Sequence, residues 1–180
     1  DVLEEILDYQ VDGIVLASVA MSSVLAERCD AAGIPVVLFN RAQQEDRFST
    51  VTSDNFAGGK ALAEFLVAGG HRRIGYIAGW EGASTQRDRE AGFCAGLAAH
   101  GHKLFARGVG DFRTETAAKA ARAMFSASEF PDAVFVANDH MAFAVIEELR
   151  GNLGLRVPED VSVVGYDDVQ LSRWSSFDLT

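Results

Sequence analysis

Two adjacent carboxylates, Asp167 and Asp168, end the stretch V-S-V-V-G-Y-D-D at residues 161–168. Paired acids can work as general acid and base, hold a metal, or accept hydrogen bonds from a neutral ligand's hydroxyls. Successive side chains leaving a strand point to opposite faces, which is wrong for a pair converging on one metal or one scissile bond. The spacing therefore divides them: Asp168 reads as a turn or helix-cap residue, and Asp167 as an acceptor turned toward a cleft. Asn138 carries a donor and an acceptor on one group, the combination a sugar hydroxyl needs, and Asp139 behind it is a natural helix N-cap. In T-Q-R-D-R-E-A-G-F, residues 85–93, Thr85 and Arg89 lie four apart and share a helix face. Arg89 could reach a cleft from there; a surface ion pair with Asp88 or Glu90 is the alternative. Phe112 could stack on a sugar face or plug the core, and Trp80 has the same two readings.

Other chemistries fail on spacing. F-A-G-G-K at 56–60 is no phosphate loop, because Ala61 follows the lysine and the earlier glycine is missing. Gly108-Val109-Gly110 has Arg113 where a dinucleotide fingerprint wants its third glycine, and Gly82-Ala83-Ser84 lacks the second glycine of a nucleophile elbow. His100 and His102 have no evident third ligand. Cys29 and Cys94 lack C-x-x-C spacing and a histidine partner, so both read as small buried hydrophobes in a reducing compartment. The expectation is no catalytic residue, no metal and no cofactor: not an enzyme.

Polar candidates need elements to hold them. Short β-rich apolar runs fall at 13–17, 35–39, 73–78, 133–137 and 161–166, with weaker ones at 49–52 and around 105–109. Between them, apolar residues recur at three- and four-residue intervals over 22–32, 55–68, 85–100, 115–126 and 139–152, which predicts helices. Strands apolar throughout are buried on both faces, and strands alternating with helices build a parallel sheet: an α/β layer fold. Such sheets bind ligands beyond the carboxyl ends of their strands. Ser18, Asn40-Arg41, Asp54-Asn55, Gly79-Trp80, Asn138-Asp139 and Asp167-Asp168 all stand there.

With 26 acidic against 16 basic residues the net charge is −10, which repels a phosphate backbone, so this stretch is a poor candidate for touching nucleic acid. No apolar run approaches the roughly 20 residues of a membrane span, and no signal peptide is visible. The opening D-V-L-E-E-I-L-D-Y-Q reads as the middle of a helix, so both ends look like cuts in a longer protein.

Seven segments, taken together, resemble the effector-binding core of the lac/gal repressor (LacI/GalR) family of bacterial transcription regulators. They are V-D-G-I-V-L-A-S (11–18), I-P-V-V-L-F-N-R (34–41), V-T-S-D-N-F-A-G-G (51–59) and G-H-R-R-I-G-Y-I-A-G (70–79). R-E-A-G-F (89–93), V-F-V-A-N-D-H-M-A (134–142) and V-P-E-D-V-S-V-V-G-Y-D-D (157–168) complete the series in family order. The resemblance implies two Rossmann-like parallel-sheet lobes of the periplasmic-binding-protein-like type I plan, the first incomplete in this chain. Residues 1–53 would belong to the N-terminal lobe, 54–177 to the C-terminal lobe, and 178–180 to the start of a crossover back. The helix-turn-helix that would read operator DNA lies outside the chain.

The same resemblance implies a cytoplasmic sensor that binds a small sugar-like effector and changes operator affinity allosterically, as a homodimer or tetramer with no membrane contact. Its effector residues would be Arg89, Asn138, Asp167 and Phe112, with Asn40 in a slot often held by aspartate and Thr85 among neighbouring contacts. Phe143 would pack across the dimer interface, an internal core position being its alternative. The rival reading is a periplasmic sugar-binding protein of a transport system, which shares the two-lobed plan.

Overall fold

The structure, a computed structural model, describes residues 11–18, 23–41 and 48–180. The helix suggested by the opening ten residues, and residue 22 of the next, lie outside the described residues. The chain separates into two compact units: residues up to Asp54 together with Ala83–Thr85, and Asn55–Gly82 with Gln86–Thr180. The first unit has a parallel sheet of β1 (Ile14–Ala17), β2 (Val36–Phe39) and β3 (Ser49–Val51) in that order, with Ile14 opposite Val36 and Val37 opposite Ser49. Helix α1 (Ser23–Ala31) supplies Ala26 and Cys29 to a small core with Ile14, Val36 and Leu38. The weak run at 49–52 forms a strand even though its three residues are exposed, because the backbone ladder to β2 holds it.

The second unit carries a four-stranded parallel sheet in the order β5-β4-β6-β7. Its strands are β4 (Ile74–Ala78), β5 (Ala106–Val109), β6 (Ala133–Val136) and β7 (Ser162–Val164). Every residue of β4 and β6 is buried, as expected for apolar runs covered on both faces. The covering helices are α2 (Asn55–Ala68), α3 (Ser84–Ala99), α4 (Thr114–Phe125) and α5 (Asp139–Glu147). Tyr76, Phe93 and Phe135 meet under the sheet with ring centroids 4.9–5.7 Å apart. The chain goes from β4 to β5 on one side, then crosses to β6 on the other. Beyond the carboxyl ends of β4 and β6, such a reversal is where parallel sheets bind their ligands.

Three expectations need correction. Cys94 is exposed rather than buried, since it stands on the outer face of α3; Cys29 is buried as expected. The helix expected through 152 stops being α-helical at Glu147 and continues as one π turn, Glu148–Asn152. There the buried Glu148 carboxylate takes hydrogen bonds from Arg122 and from Asn152 Nδ2, which ties the widened turn to α4. Third, Asn138, not Asp139, is the N-cap of α5: its Oδ1 accepts from Met141 N–H at 3.1 Å. Asp139 takes the first helical position, where the sheet edge buries it.

Candidate functional site

Six described residues other than glycine with φ between +52° and +113° stand just past strand ends: Ser18, Asn40, Asp111, Phe112, Asp167 and Asp168. Side chains disfavour that region, at a cost on the order of 1 kcal/mol or more each, so the strain is concentrated where a parallel sheet presents its ligands.

Arg89 is the centre of the second unit's edge. It lies on α3, is only 6% exposed, and every part of its guanidinium is held. Nε donates to Asn55 Oδ1 at 2.8 Å, Nη1 to the Ala137 carbonyl at 2.7 Å, and Nη2 to Asp167 Oδ1 at 3.3 Å. The guanidinium carbon lies 3.7 Å from the Tyr166 ring centroid, a cation–π contact. Neither Asp88 nor Glu90 takes the ion pair; Glu90 is occupied by Arg107. Each of the three nitrogens thus makes one bond, and of the five N–H groups two, on the terminal nitrogens, have no protein acceptor among the described residues.

Asp167 faces this arginine, while Asp168 turns away to Ser172 Oγ at 3.3 Å and Arg173 Nη2 at 2.8 Å. The left-handed turn, rather than strand alternation, separates the pair. Asp139 fixes that turn, accepting from Val169 N–H at 2.9 Å while its own N–H donates to the Tyr166 carbonyl at 3.0 Å. The Asp167 carboxyl is held above the ordinary aspartate range, first by partial withdrawal from water; the Arg89 charge opposes this and Asp139 adds to it. Asn138 stands between Ala137, which binds Arg89, and Asp139; its Oδ1 is spent on the cap, so Nδ2 is the group it can offer.

Phe112 follows β5 in a tight turn closed by Arg113 N–H to the Gly110 carbonyl, and its half-buried ring lies on Gly79, where a Cβ would collide with it. Thus Phe112, Gly79, Asn138 and Asp167 follow one another along the sheet edge in strand order, roughly 15 Å from first to last at the usual strand spacing. The two remaining candidates belong to the first unit. Asn40 Nδ2 donates to Ser18 Oγ at 3.1 Å, and buried Thr85 accepts from Arg41 Nη1 at 3.0 Å. Phe143 packs within its own unit, 4.4 Å from the Phe177 ring, and is 8% exposed.

Three participants were not singled out as site residues from the sequence. Tyr166 could have been found from its place before the two aspartates; Asn55 stood among the strand-end positions but was given no role. Gln86 gave no signal: it is 1% exposed, and its Oε1 accepts from both Tyr76 Oη at 2.9 Å and Gly79 N–H at 2.6 Å. Among the described residues no three histidines, cysteines, aspartates or glutamates converge on a metal-sized space.

A wall of fixed hydrogen-bond donors and acceptors beside an aromatic ring suits a small polyhydroxylated molecule. Residues 63–180 match the family described as periplasmic binding protein-like domain. The transcriptional regulator CelR of Thermobifida fusca is 38% identical over 174 residues, which covers 94% of this chain and 51% of that protein. A solved CelR–cellobiose complex superposes with a TM-score of 0.86 at 34% identity, covering 97% of this chain and 55% of that one. A sugar-binding LacI-family regulator from Escherichia coli, solved with phosphate, gives 0.82 at 25% identity over 97% of this chain and 63% of that one. The chain spans about half the length of the curated relatives it matches, and no helix among the described residues is long and apolar enough to cross a membrane. The chain belongs to the periplasmic-binding-protein-like family, in the form found as the effector-binding domain of LacI-family transcription regulators.

Proposed function

We propose that this chain is the ligand-sensing part of a cytoplasmic DNA-binding repressor, which holds a small sugar-like effector and alters operator affinity without chemically changing the effector. The observation that carries this reading is the clamped Arg89 beside Asp167, with two N–H donors left over and a carboxylate that accepts hydroxyls. Asn138 and Phe112 flank it, one polar and one apolar, as the two kinds of surface on a sugar require. That related CelR is seen with cellobiose supports a sugar; that relatives are regulators supports sensing rather than turnover. Asn40 and Thr85 are further effector contacts in this proposal. The effector moves the operator equilibrium only as far as it binds one lobe arrangement better than the other, typically by about 1–3 kcal/mol.

Isothermal titration of the full-length protein against hexoses, pentoses, disaccharides and nucleosides tests the reading, with pH as a second axis. A carboxylate with a raised pKa is ionised only above it, so affinity for a hydroxyl donor falls as pH drops through that raised value. The same group destabilises the empty fold above its folded pKa, because the native state binds its proton more tightly than the unfolded chain does. In Asp167→Asn the acid-side loss of binding disappears. A panel that yields no binding at any pH, or release of modified sugar, sinks the proposal.

A homodimer is part of the same proposal, with Phe143 near its interface. Phe143→Ala then weakens dimerisation in sedimentation velocity. If the Phe143–Phe177 contact is its whole role, the variant loses thermal stability with sedimentation unchanged.

A further inference from the structure

Trp80 stands just past the end of β4 and is 45% exposed, although the loop that carries it is tied down by hydrogen bonds. Residues 79–82 are held at three points. Gly79 N–H is taken by the buried Gln86, and the Gly82 carbonyl accepts from Arg87 Nη1 at 3.2 Å. Glu81 accepts from Arg107 Nη2 at 2.8 Å, while Arg107 grips Glu90 through Nε at 2.6 Å and Nη2 at 2.9 Å. Gln86 Nε2 closes the network on Glu90 at 2.9 Å. The indole itself lies against Gly82, where a Cβ would collide with three of its ring atoms. Its Nε1–H meets no protein acceptor among the described residues. A large apolar ring, fixed, facing water and keeping an unused donor has the character of a ligand platform rather than a core plug.

Phe112 lies on Gly79 and Trp80 on Gly82, three residues along the same loop, so the two rings sit within about 10 Å plus a side-chain length of each other. They do not stack on one another, which leaves each free to carry a separate ring of a ligand. We infer that Trp80 is a second stacking residue of the effector site, so that the effector is a carbohydrate of at least two linked rings, one on Phe112 and the next on Trp80. The Glu81–Arg107–Glu90–Gln86 network acts as a positioning device that keeps this second platform in place. The inference rests on the sugar-sensing reading and narrows it from sugars in general to disaccharides and longer.

The test is isothermal titration of the full-length protein with glucose, galactose and ribose against cellobiose, maltose, lactose and cellotriose. One or more of the linked sugars is expected to bind at least tenfold tighter than any single-ring sugar. Trp80→Ala removes about tenfold from that affinity and less than twofold from any residual monosaccharide binding; Trp80→Phe restores most of the loss. Binding also quenches the tryptophan fluorescence of the wild type, a signal reduced in Trp80→Phe. Because the side chain is exposed, the variants fold, which circular dichroism verifies. If monosaccharides bind as tightly as linked sugars, or Trp80→Ala leaves disaccharide affinity unchanged, Trp80 is not in the site while the sugar-sensing reading stands. If no carbohydrate binds the wild type, both fall together.

Discussion

Arg89→Ala in the full-length protein reduces effector affinity at least 100-fold and leaves operator binding as it was. The guanidinium has two donors to give, and a hydrogen bond to a charged group contributes about 1.5–3 kcal/mol, so losing two removes about 3 kcal/mol even at the low end. That alone is more than two factors of ten. Further losses follow from what the side chain holds in place: Asn55 Oδ1, the Ala137 carbonyl, Asp167 and the Tyr166 ring all lose their common partner. Without the neighbouring cation the Asp167 carboxyl rises further, so the second half of the site weakens at the same pH. Arg89→Lys does not rescue, because one compact ammonium cannot serve three acceptors in fixed directions and cover an aromatic face as well. Titration for the effector and a mobility-shift titration for operator DNA, run on the same preparation, measure the two effects. An unchanged effector affinity in Arg89→Ala would remove the residue from the site and take the proposed chemistry with it.

How far this arginine could be read from the sequence marks the general limit. Its spacing four residues after Thr85 puts it on the right helix, but local pattern left an ion pair with Asp88 or Glu90 equally open. The decision is made by Asn55, Ala137 and Asp167, which are 34, 48 and 78 residues away along the chain. Apolar runs such as I-G-Y-I-A and A-V-F-V announce doubly covered strands, and both are fully buried. β3 was a weaker signal because its side chains do nothing for it; its ladder to β2 does. Asn138 was legible as a strand-end polar residue, yet not as a cap, a role the sequence reading gave to Asp139 beside it. The Gln86 network is invisible locally: a glutamine inside a charged helix stretch looks solvated until Tyr76, Gly79, Glu90 and Arg107 are brought round it. Tertiary partners thus select among readings that sequence spacing leaves equal.

The largest loss of stability outside the polar wall is expected at Gly92. Helices α2 and α3 cross so closely that a Cβ on Gly92 would strike the backbone carbonyl of Phe56, and one on Gly59 would strike that of Arg89. Gly96 repeats the pattern against Ala63 and the Lys60 backbone. Gly92 and Gly96 fall three and seven positions after Arg89, on the same face of α3. This small-residue seam is therefore what lets the arginine lie across α2 to reach Asn55. Because the obstructing atoms are backbone, no rotamer change can make room, and Gly92→Ala must push the helices apart. Overpacking of this kind costs about 1–3 kcal/mol, against which the better helix propensity of alanine returns less than 1 kcal/mol. At the upper end the net loss of about 2 kcal/mol lowers the melting temperature by roughly 4–8 °C for a domain of this size. Gly92→Val, larger and β-branched, is expected not to accumulate as folded protein. Gly151→Ala is the matched control: nothing lies within 4 Å of its added carbon, so its melting temperature stays within about 2 °C of the wild type. Effector affinity separates the two consequences of the seam. If Gly92→Ala melts early but still binds effector as tightly as the wild type at low temperature, the crossing stabilises the fold without setting Arg89. A parallel loss of affinity in the folded variant shows that the helix spacing itself aims the guanidinium.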